Sequence, residues 1–363
     1  MTRDPRETNL AVSATNRAAI YEEHGGPEVI QIKDLATPKK EDLQPGEALV
    51  RTLFTGVCHS DLHALNGDWP FPTKLPLVGG HEGAGVVVAL GPGADEWVKI
   101  GDRVGIKWVA NTCFKCDYCL DGHDASCAEY KPSGYAVDGT FQQYTRHAAR
   151  YLTRIPDGIS LEASSSILCA GVTIYRAIKE ANLRAGQWIV IPGSGGGLGH
   201  LGVQYARYAG YRVIGIDTGE EKRKLSLDLG CEAFVDFKTS SNVAEEIKAV
   251  TGGLGAHAAA VAAASAKAYE LALTYIRPRG TLVIVGMPVA TLPLDIFMTV
   301  ALAHRIVGSA VGSRRDANEA LDIAAQGKVR VVYQLKGLSD LPDVFRDMSE
   351  GKITGRVVLD LDK

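Results

Sequence analysis

Short apolar runs separated by glycine and proline mark the first part of the chain. They predict strands at Val29–Leu35, Ala48–Gly56, Gly83–Leu90 and Arg103–Trp108. Strands this short, with turn residues between them, are typical of an irregular, mostly β lobe.

From about Gly171 the pattern changes to apolar runs that alternate with helical periodicity. The six runs are Trp188–Ile191, Arg212–Ile216, Ala233–Asp236, His257–Ala262, Thr281–Val285 and Ile306–Ser309. Near-continuous apolar strands crossed by helices indicate a parallel sheet covered on both faces, so we predict a doubly wound α/β fold of the dinucleotide-binding kind. The tail beyond Val311 adds two helical patterns and a strand-like Gly355–Leu361.

Length and charge narrow the class of protein. A chain of 363 residues exceeds what one core usually serves, so two domains are expected. A net charge of −3 provides no basic surface for nucleic acid. The sequence has no run of about 18 apolar residues, so we expect no membrane span.

The first residues, Met1 to about Arg17, are polar and include the acids Asp4 and Glu7. They lack the apolar run of a secretory signal, and a mitochondrial transit peptide would be poor in acids. We therefore expect a loose N-terminal extension and a cytoplasmic protein, with the mitochondrial matrix as the less favoured location. In a reducing compartment the seven cysteines are better suited to bind metal than to form disulfides.

A glycine-rich loop follows the first apolar strand of the second part. Strand, glycine loop and helix in this order are what pyrophosphate binding requires, because the backbone and the helix N-terminus supply N–H groups. Leu198 stands where the last glycine of G-x-G-x-x-G should be, so a merely structural turn is the alternative. Asp217 ends the next strand. An acid there accepts hydrogen bonds from the ribose hydroxyls and repels the extra phosphate of NADP, so the sequence predicts NAD as the cofactor. The loop residues are Gly193, Gly195, Gly196, Gly197, Leu198 and Gly199.

Four cysteines lie close together in one polar loop with the spacing C-x2-C-x2-C-x7-C. Four thiolates can enclose a tetrahedral zinc ion, and such a closed site is structural. An iron–sulfur cluster would prefer a shorter last spacing followed by proline, whereas Ala128 comes next. The cysteines are Cys113, Cys116, Cys119 and Cys127.

The remaining cysteines suggest a second metal site. Cys58 opens the segment C-H-S-D-L-H, the segment G-G-H-E-G follows, and Cys169 comes later. Two thiolates with one imidazole form a catalytic zinc set that leaves one position open for substrate. Cys231 lacks such a partner motif, and we interpret it as a core residue.

The chain resembles the medium-chain zinc alcohol dehydrogenases, and among them the tetrameric fungal (baker's yeast type) branch. The resemblance covers the chain from about Ala18 onward. The motifs that carry it are V-C-H-S-D-L-H (Val57–His63), G-D-W-P (Gly67–Pro70), L-P-L-V-G-G-H-E-G-A-G-V-V-V (Leu75–Val88), G-I-K-W (Gly105–Trp108), D-G-x-F-Q-Q-Y (Asp138–Tyr144), I-L-C-A-G (Ile167–Gly171), G-Y-R-V-I-G-I-D (Gly210–Asp217) and V-G-M-P (Val285–Pro288).

This resemblance implies a division into domains and a homotetramer. It implies a GroES-like catalytic domain over residues 1–170, with a structural zinc lobe at 111–128. It further implies an NAD-binding Rossmann domain over 171–307 with a six-stranded sheet, and a return to the catalytic domain over 308–363.

The resemblance also implies roles for individual residues. The catalytic zinc would be held by Cys58, His81 and Cys169, with Glu82 visiting the metal during ligand exchange and Asp61 orienting His81. Ser60 and His63 would relay the proton. The cofactor would be bound by the glycine loop and Asp217 together with His59, Thr173, Lys222, Val285, Met287 and Arg356. The substrate pocket would be walled by Trp69, Trp108 and Met287.

The implied reaction is the NAD-dependent oxidation of small primary alcohols, with ethanol the best substrate, and its reverse. Zinc would hold the alcohol as an alkoxide that gives its hydride to nicotinamide, while the proton leaves through Ser60, the cofactor ribose and His63. A polyol dehydrogenase often lacks the four-cysteine lobe, and an NADP-linked aldehyde reductase disfavours an acid at Asp217. A zinc- and nucleotide-binding scaffold without activity would have lost some of its metal ligands or relay residues. All of these residues are present in this chain.

Overall fold

The structure, a computed structural model, describes residues 3–363, so Met1 and Thr2, where the expected extension begins, lie outside the described residues. Its strands are β1 (Thr15–Tyr21), β2 (Gln31–Ala36), β3 (Glu47–Gly56), β4 (Leu77–Val78), β5 (Gly83–Leu90), β6 (Arg103–Ile106), β7 (Val109–Asn111), β8 (Lys131–Pro132), β9 (Tyr144–Ala148), β10 (Thr153–Arg154), β11 (Trp188–Pro192), β12 (Arg212–Asp217), β13 (Ala233–Asp236), β14 (Ala256–Val261), β15 (Ile276–Ile284), β16 (Arg305–Gly308), β17 (Tyr333–Gly337) and β18 (Arg356–Asp360). Its α-helices are α1 (His59–Asn66), α2 (Asp117–Leu120), α3 (Leu161–Ser166), α4 (Val172–Glu180), α5 (Gly199–Tyr208), α6 (Glu220–Asp228), α7 (Val243–Val250), α8 (Ala266–Tyr275), α9 (Ile296–Ala301), α10 (Arg314–Ala325) and α11 (Leu341–Ser349).

The described chain forms two compact units, and each is described by itself. The first unit runs up to Cys169 and takes in Ser313–Gly327 and Tyr333–Lys363. The second unit consists of Ala170–Gly312 and Lys328–Val332.

The second unit is built on a six-stranded parallel sheet. Its strand order is β13-β12-β11-β14-β15-β16, and every pair of neighbours runs parallel. Buried aliphatic side chains such as Val190, Ile214 and Leu282 fill the core, as expected for strands covered on both faces. The order reverses next to β11, which is the switch point at which doubly wound folds bind their ligands. The predicted fold class is confirmed.

The first unit is mostly β. Its largest sheet has the order β10-β6-β5-β3-β18-β17, antiparallel except for β17 and β18, and β9 also pairs with β3. A three-stranded sheet, β2-β1-β4, packs on a core that includes Tyr21, Leu77, Phe141 and Phe345. β3 and β5 are therefore central strands, and the segments that follow β3 and precede β5 carry the candidate metal ligands.

The predicted strands agree with the observed ones to within one residue except at three places. β6 ends at Ile106, two residues before the predicted Trp108. Val29 lies in a 3₁₀ turn before β2 rather than in the strand. β15 begins five residues before the predicted Thr281, because Ile276 already pairs with Ala256 and the ladder is then interrupted by a bulge at Arg279, whose φ is 64°. A bulge of this kind breaks the period-2 pattern on which strand prediction depends.

The N-terminal extension is docked on the first unit rather than loose. Arg6 Nη1 lies 2.7 Å from Asp360 Oδ1, and the Arg6 guanidinium stacks over the Phe54 ring. Glu7 is buried, and its Oε2 lies 2.9 Å from Nε of the buried Arg103. The expectation of a loose segment is wrong for these residues, because a polar sequence can also be ordered by ion pairs that only the tertiary structure supplies.

Candidate active site and metal centres

The glycine loop lies between β11 and α5 and contains a close backbone contact. Gly193 adopts φ 84°, a left-handed conformation that favours glycine. A Cβ on Gly199 would meet the Gly193 carbonyl oxygen at 1.9 Å, whereas a side chain is tolerated at Leu198. Gly199 therefore takes the part of the third glycine, one position later than the motif predicts. The loop, with α5 beginning at Gly199, is suited to bind a pyrophosphate.

Asp217 is held at the end of β12 beside this loop. Its Oδ2 accepts from the Gly195 backbone N–H at 3.0 Å, and its Oδ1 accepts from the Thr218 N–H at 2.9 Å. Lys222 Nζ lies 3.7 Å from Oδ1. A carboxylate in this position can accept hydrogen bonds from the hydroxyls of an adenosine ribose.

His200, the residue after Gly199, is buried and serves the structure of the second unit. Its Nε2 accepts from the Val332 backbone N–H at 3.2 Å, so Nδ1 carries the proton and donates to the Gly196 carbonyl at 2.9 Å. The imidazole thus links the glycine loop to residues 328–332 of the same unit.

The other expected cofactor residues of the second unit differ in exposure. Thr173 Oγ1 is buried without a hydrogen-bond partner among the described residues. Val285 is buried directly after β15, and Met287 is 56% exposed.

The four cysteines of the polar loop converge as predicted. Sγ of Cys113 lies 3.5 Å from Sγ of Cys127 and 4.0 Å from that of Cys119, and Cys116 Sγ is 3.6 Å from Cys119 Sγ. A tetrahedron with Zn–S bonds of about 2.3 Å has S···S edges of roughly 3.8 Å, so this donor set fits zinc. The Lys115 backbone N–H lowers the pKa of the Cys113 thiol to about 7, which favours the thiolate that metals bind.

A second ligand set lies in the first unit and is fully buried. The candidate ligand atoms of Cys58, His81, Glu82 and Cys169 all lie within 4.8 Å of one another. Cys58 follows β3 at the start of α1, His81 and Glu82 precede β5, and Cys169 lies in the π-helical turn Ile167–Gly171. Turns of this type are frequent at functional sites.

Asp61 connects two of these ligands. Its Oδ2 accepts from the Cys58 backbone N–H at 2.9 Å, and its Oδ1 accepts from His81 Nδ1 at 2.7 Å. His81 Nε2 then faces Cys169 Sγ at 3.1 Å. Carboxylates commonly fix metal-binding imidazoles in this way, so the donor set fits a zinc ion. The hydrogen bond from Cys169, helped by His81, lowers the pKa of the Cys58 thiol.

Glu82 and Arg356 form a buried pair. Arg356 Nη2 donates to both carboxylate oxygens of Glu82. Burial raises the pKa of Glu82 to about 7 against the opposing effect of Arg356. Glu82 also belongs to the candidate ligand set, so its carboxylate lies beside both Arg356 and the metal position.

The expected proton-relay residues lie on α1. Ser60 Oγ is 3.8 Å from Cys58 Sγ. His63 Nδ1 lies 2.7 Å from Asp68 Oδ1, and the His63 ring stacks on Trp69 with centroids 5.0 Å apart. His59, also on α1, is exposed.

A cluster of aromatic rings lies beside the ligand His81. Trp108 lies edge-on to His81 at 4.9 Å and to Trp69 at 6.0 Å. Trp108 Nε1 donates to Tyr130 OH at 2.8 Å, and Tyr135 contacts both tryptophans at 5.9 Å. Sequence reasoning missed Tyr130, Tyr135 and Asp68. Asp68 lies inside the G-D-W-P motif, whereas the two tyrosines follow the four-cysteine loop without a pattern that marks them.

A dinucleotide-type sheet and two ligand sets suited to zinc define a zinc-binding dehydrogenase. Comparisons with known families agree. Residues 44–157 match the alcohol dehydrogenase GroES-like domain, and residues 197–326 match the zinc-binding dehydrogenase family.

Individual relatives make the family specific. An alcohol dehydrogenase of Schizosaccharomyces pombe is 48% identical over 95% of this chain and 98% of its own length. The crystal structure of the Aeropyrum pernix alcohol dehydrogenase is 31% identical over 95% of this chain and all of its own, with a TM-score of 0.87. Acetophenone reductase from Geotrichum candidum, solved in complex with NAD, is 28% identical over 97% of this chain and 98% of its own, with a TM-score of 0.83.

The chain belongs to the zinc-dependent medium-chain alcohol dehydrogenases. Membership confirms the predicted family, enzyme class and reaction, the NAD-linked interconversion of alcohols and aldehydes. Among residues 3–363, no helix is both long enough and apolar enough to span a bilayer.

We predict two zinc ions per chain with separable effects. Cys116→Ser should lose one zinc and lower the thermal midpoint, because a four-cysteine site contributes folding free energy. Cys58→Ser should also lose one zinc but abolish turnover with the midpoint nearly unchanged. Cys231→Ser replaces a buried cysteine that belongs to neither ligand set, so this matched control should keep two zinc ions per chain. Metal analysis with thermal unfolding checks this, and one zinc in fully active parent protein would contradict the four-cysteine assignment.

Proposed function

We propose that this alcohol dehydrogenase oxidises small primary alcohols, ethanol foremost, with NAD, and reduces the corresponding aldehydes. The observation that carries the substrate size is the aromatic wall of the first unit, defined as Trp69, Trp108 and Tyr135. Trp108 touches the imidazole of the ligand His81, so the wall stands directly beside the metal position. Rigid rings there leave room for a short chain and resist a longer one.

Cys58, His81 and Cys169 are the residues that hold the catalytic zinc. When bound, zinc supplies Lewis acidity at an alcohol oxygen, and NAD accepts the hydride. Asp61 keeps His81 oriented with Nε2 toward the metal position. Glu82 is a candidate fourth donor whose carboxylate is also held by Arg356.

Ser60 and His63 move the proton. Ser60 places a hydroxyl 3.8 Å from the Cys58 sulfur, where it can accept the alcohol proton. His63, on the same helix, transfers a proton to solvent, since an imidazole can both accept and release a proton.

The second unit binds NAD, and the first unit provides the chemistry. The loop Gly193–Gly199 binds the pyrophosphate, and Asp217 with Lys222 binds the adenosine ribose. On the family resemblance we assign Thr173, Val285 and Met287 to nicotinamide binding, Met287 also to the substrate pocket, and His59 and Arg356 to pyrophosphate binding. This assignment follows the domain division 1–170, 171–307 and 308–363 implied by the resemblance.

The working enzyme is a homotetramer in the cytoplasm rather than the mitochondrial matrix. Two features of the second unit support self-association. Strand β16 pairs only with β15 among the described strands, which leaves an open sheet edge. Helix α9 exposes Ile296, Phe297 and Val300 by 74–78% each, and apolar surface of this extent marks interfaces. Cell fractionation decides between the two compartments.

Light scattering should give four chain masses for the parent protein. Phe297→Glu should lower that mass, because a charge in an apolar interface is unfavourable. Phe237→Glu, at an exposed phenylalanine away from α9, should leave it unchanged. A monomeric parent protein would refute the tetramer.

Catalytic efficiency should fall from ethanol through butanol to hexanol, and further for 2-propanol. Overpacking of a longer alcohol against the aromatic wall costs about 1–3 kcal/mol, which lowers the catalytic efficiency roughly ten- to a hundredfold. Trp108→Ala should shift the preference toward longer chains. Trp97→Ala, at an exposed tryptophan, is the control and should keep the parent order. A parent enzyme that prefers hexanol or 2-propanol would show that the wall does not limit size.

Asp217 should give a preference for NAD over NADP of about a hundredfold or more, since placing a phosphate against a carboxylate sets like charges together and costs several kcal/mol. Asp217→Asn removes the charge and Asp217→Gly the whole side chain, and both should narrow the ratio of efficiencies by at least tenfold. Asp236→Asn, at the carboxylate ending the neighbouring strand, should leave it unchanged. Equal efficiency of the parent with both cofactors contradicts the proposal.

A further inference from the structure

The end of helix α1 brings a carboxylate back onto the proposed relay histidine. The helix ends at Asn66, and Gly67 follows in the left-handed conformation with φ 65°. Its N–H donates to the His63 carbonyl at 2.9 Å, which closes the last turn. The reversal places Asp68 beside the side chain of His63, five residues earlier in the chain.

We propose that Asp68 is a positioning residue that holds His63 in the tautomer able to accept a proton at Nε2. Asp68 Oδ1 lies 2.7 Å from His63 Nδ1. An ionised carboxylate can only accept a hydrogen bond, so Nδ1 carries the hydrogen. In the neutral ring Nε2 is then the nitrogen with a free lone pair.

The environment of His63 restricts its ring as well as its proton. One face stacks on Trp69 with an interplanar angle of 20°, so the ring cannot rotate freely about its axis. The described residues offer Nε2 no hydrogen-bond partner, which leaves this nitrogen available. Asp68 and Trp69 are consecutive, so one short segment fixes both the tautomer of the His63 imidazole and the plane of its ring.

The consequence for catalysis rests on the relay role given to His63 under the proposed function. A proton arriving from a hydroxyl forms an N–H bond at Nε2 and leaves the oxygen with its electron pair. The imidazolium so formed faces the Asp68 carboxylate, and release of the proton to water restores the neutral ring. A neutral imidazole free in water favours Nε2–H, the form that cannot accept there. Without Asp68 the ring would therefore be mostly in the wrong tautomer.

Stability alone does not account for the pair. The Asp68 side chain is 40% exposed and that of His63 21%, and ion pairs in such positions contribute little to folding. Tautomer selection does not need burial, because it depends only on which nitrogen faces an acceptor. The same geometry recurs where a carboxylate orients a catalytic or metal-binding imidazole.

The test compares Asp68→Ala and Asp68→Asn with the parent enzyme. ¹⁵N shifts of labelled histidine, assigned to His63 through His63→Gln, report the tautomer directly. We expect Nδ1–H in the parent, a change to Nε2–H in Asp68→Ala, and retention of Nδ1–H in Asp68→Asn, whose amide oxygen still accepts. Asp34→Ala, at an exposed carboxylate of the same unit, is the control and should change nothing.

Kinetics give the second readout. Asp68→Ala should lower kcat about ten- to a hundredfold with KM for ethanol nearly unchanged, as for other residues that orient a working imidazole. Imidazole added to the buffer should restore part of the rate, and Asp68→Asn should retain most of it. The role of Asp68 is overturned if the tautomer of His63 is unchanged in Asp68→Ala. It is also overturned if the tautomer changes but kcat does not, while His63→Gln is slow. A His63→Gln enzyme as fast as the parent instead refutes the relay itself, and with it this use of Asp68.

Discussion

The carboxylate of Asp61 is the contact on which the candidate catalytic site depends. It accepts from the Cys58 backbone and from the His81 ring, so one buried side chain fixes two ligands that lie 23 residues apart in the sequence. Because Asp61 lies in the first turn of α1, the direction of that helix and the orientation of His81 are set together. A buried carboxylate is unfavourable unless it is fully hydrogen-bonded, and here each oxygen has a strong donor.

Glycines make room for this arrangement where backbone and ligands approach closely. A Cβ on Gly56 would meet Glu82 Oε2 at 1.9 Å, and a Cβ on Gly139 would meet the Gly80 carbonyl at 1.8 Å. The backbone before His81 is thus packed directly against another backbone segment, with no side chain between them. Backbone N–H groups of residues 139–141 donate to the carbonyls of residues 78–80, and together with the close packing these hydrogen bonds hold the backbone that precedes the ligand histidine.

Periodicity and spacing predicted what depends on local sequence. The parallel sheet, the strand bounds in the second unit apart from the start of β15, and the convergence of Cys113 with Cys127 follow from runs and intervals that are visible in the chain. Gly199 shows the limit, because a motif counts positions whereas the loop requires only that some glycine reach the Gly193 carbonyl. Partners distant in the sequence were not predictable. The pairing of Glu82 with Arg356 joins residues 274 apart, and the docking of Arg6 on Asp360 joins residues 354 apart.

The four-cysteine lobe is connected to the catalytic site by a continuous series of short contacts that ends at Trp108. Thr112 Oγ1 lies 3.2 Å from Cys119 Sγ and 2.7 Å from Tyr151 OH, and Lys107 Nζ donates to the Tyr151 carbonyl at 2.7 Å. Lys107 directly precedes Trp108. On the other side, the Tyr130 N–H donates to the Cys127 carbonyl at 3.1 Å, and the Tyr130 hydroxyl accepts from the Trp108 indole. Trp108 is thus held from both directions by residues tied to the cysteine lobe. A closed metal site without open coordination positions can therefore still influence which alcohols fit, since the order of the lobe determines where the tryptophan beside His81 stands.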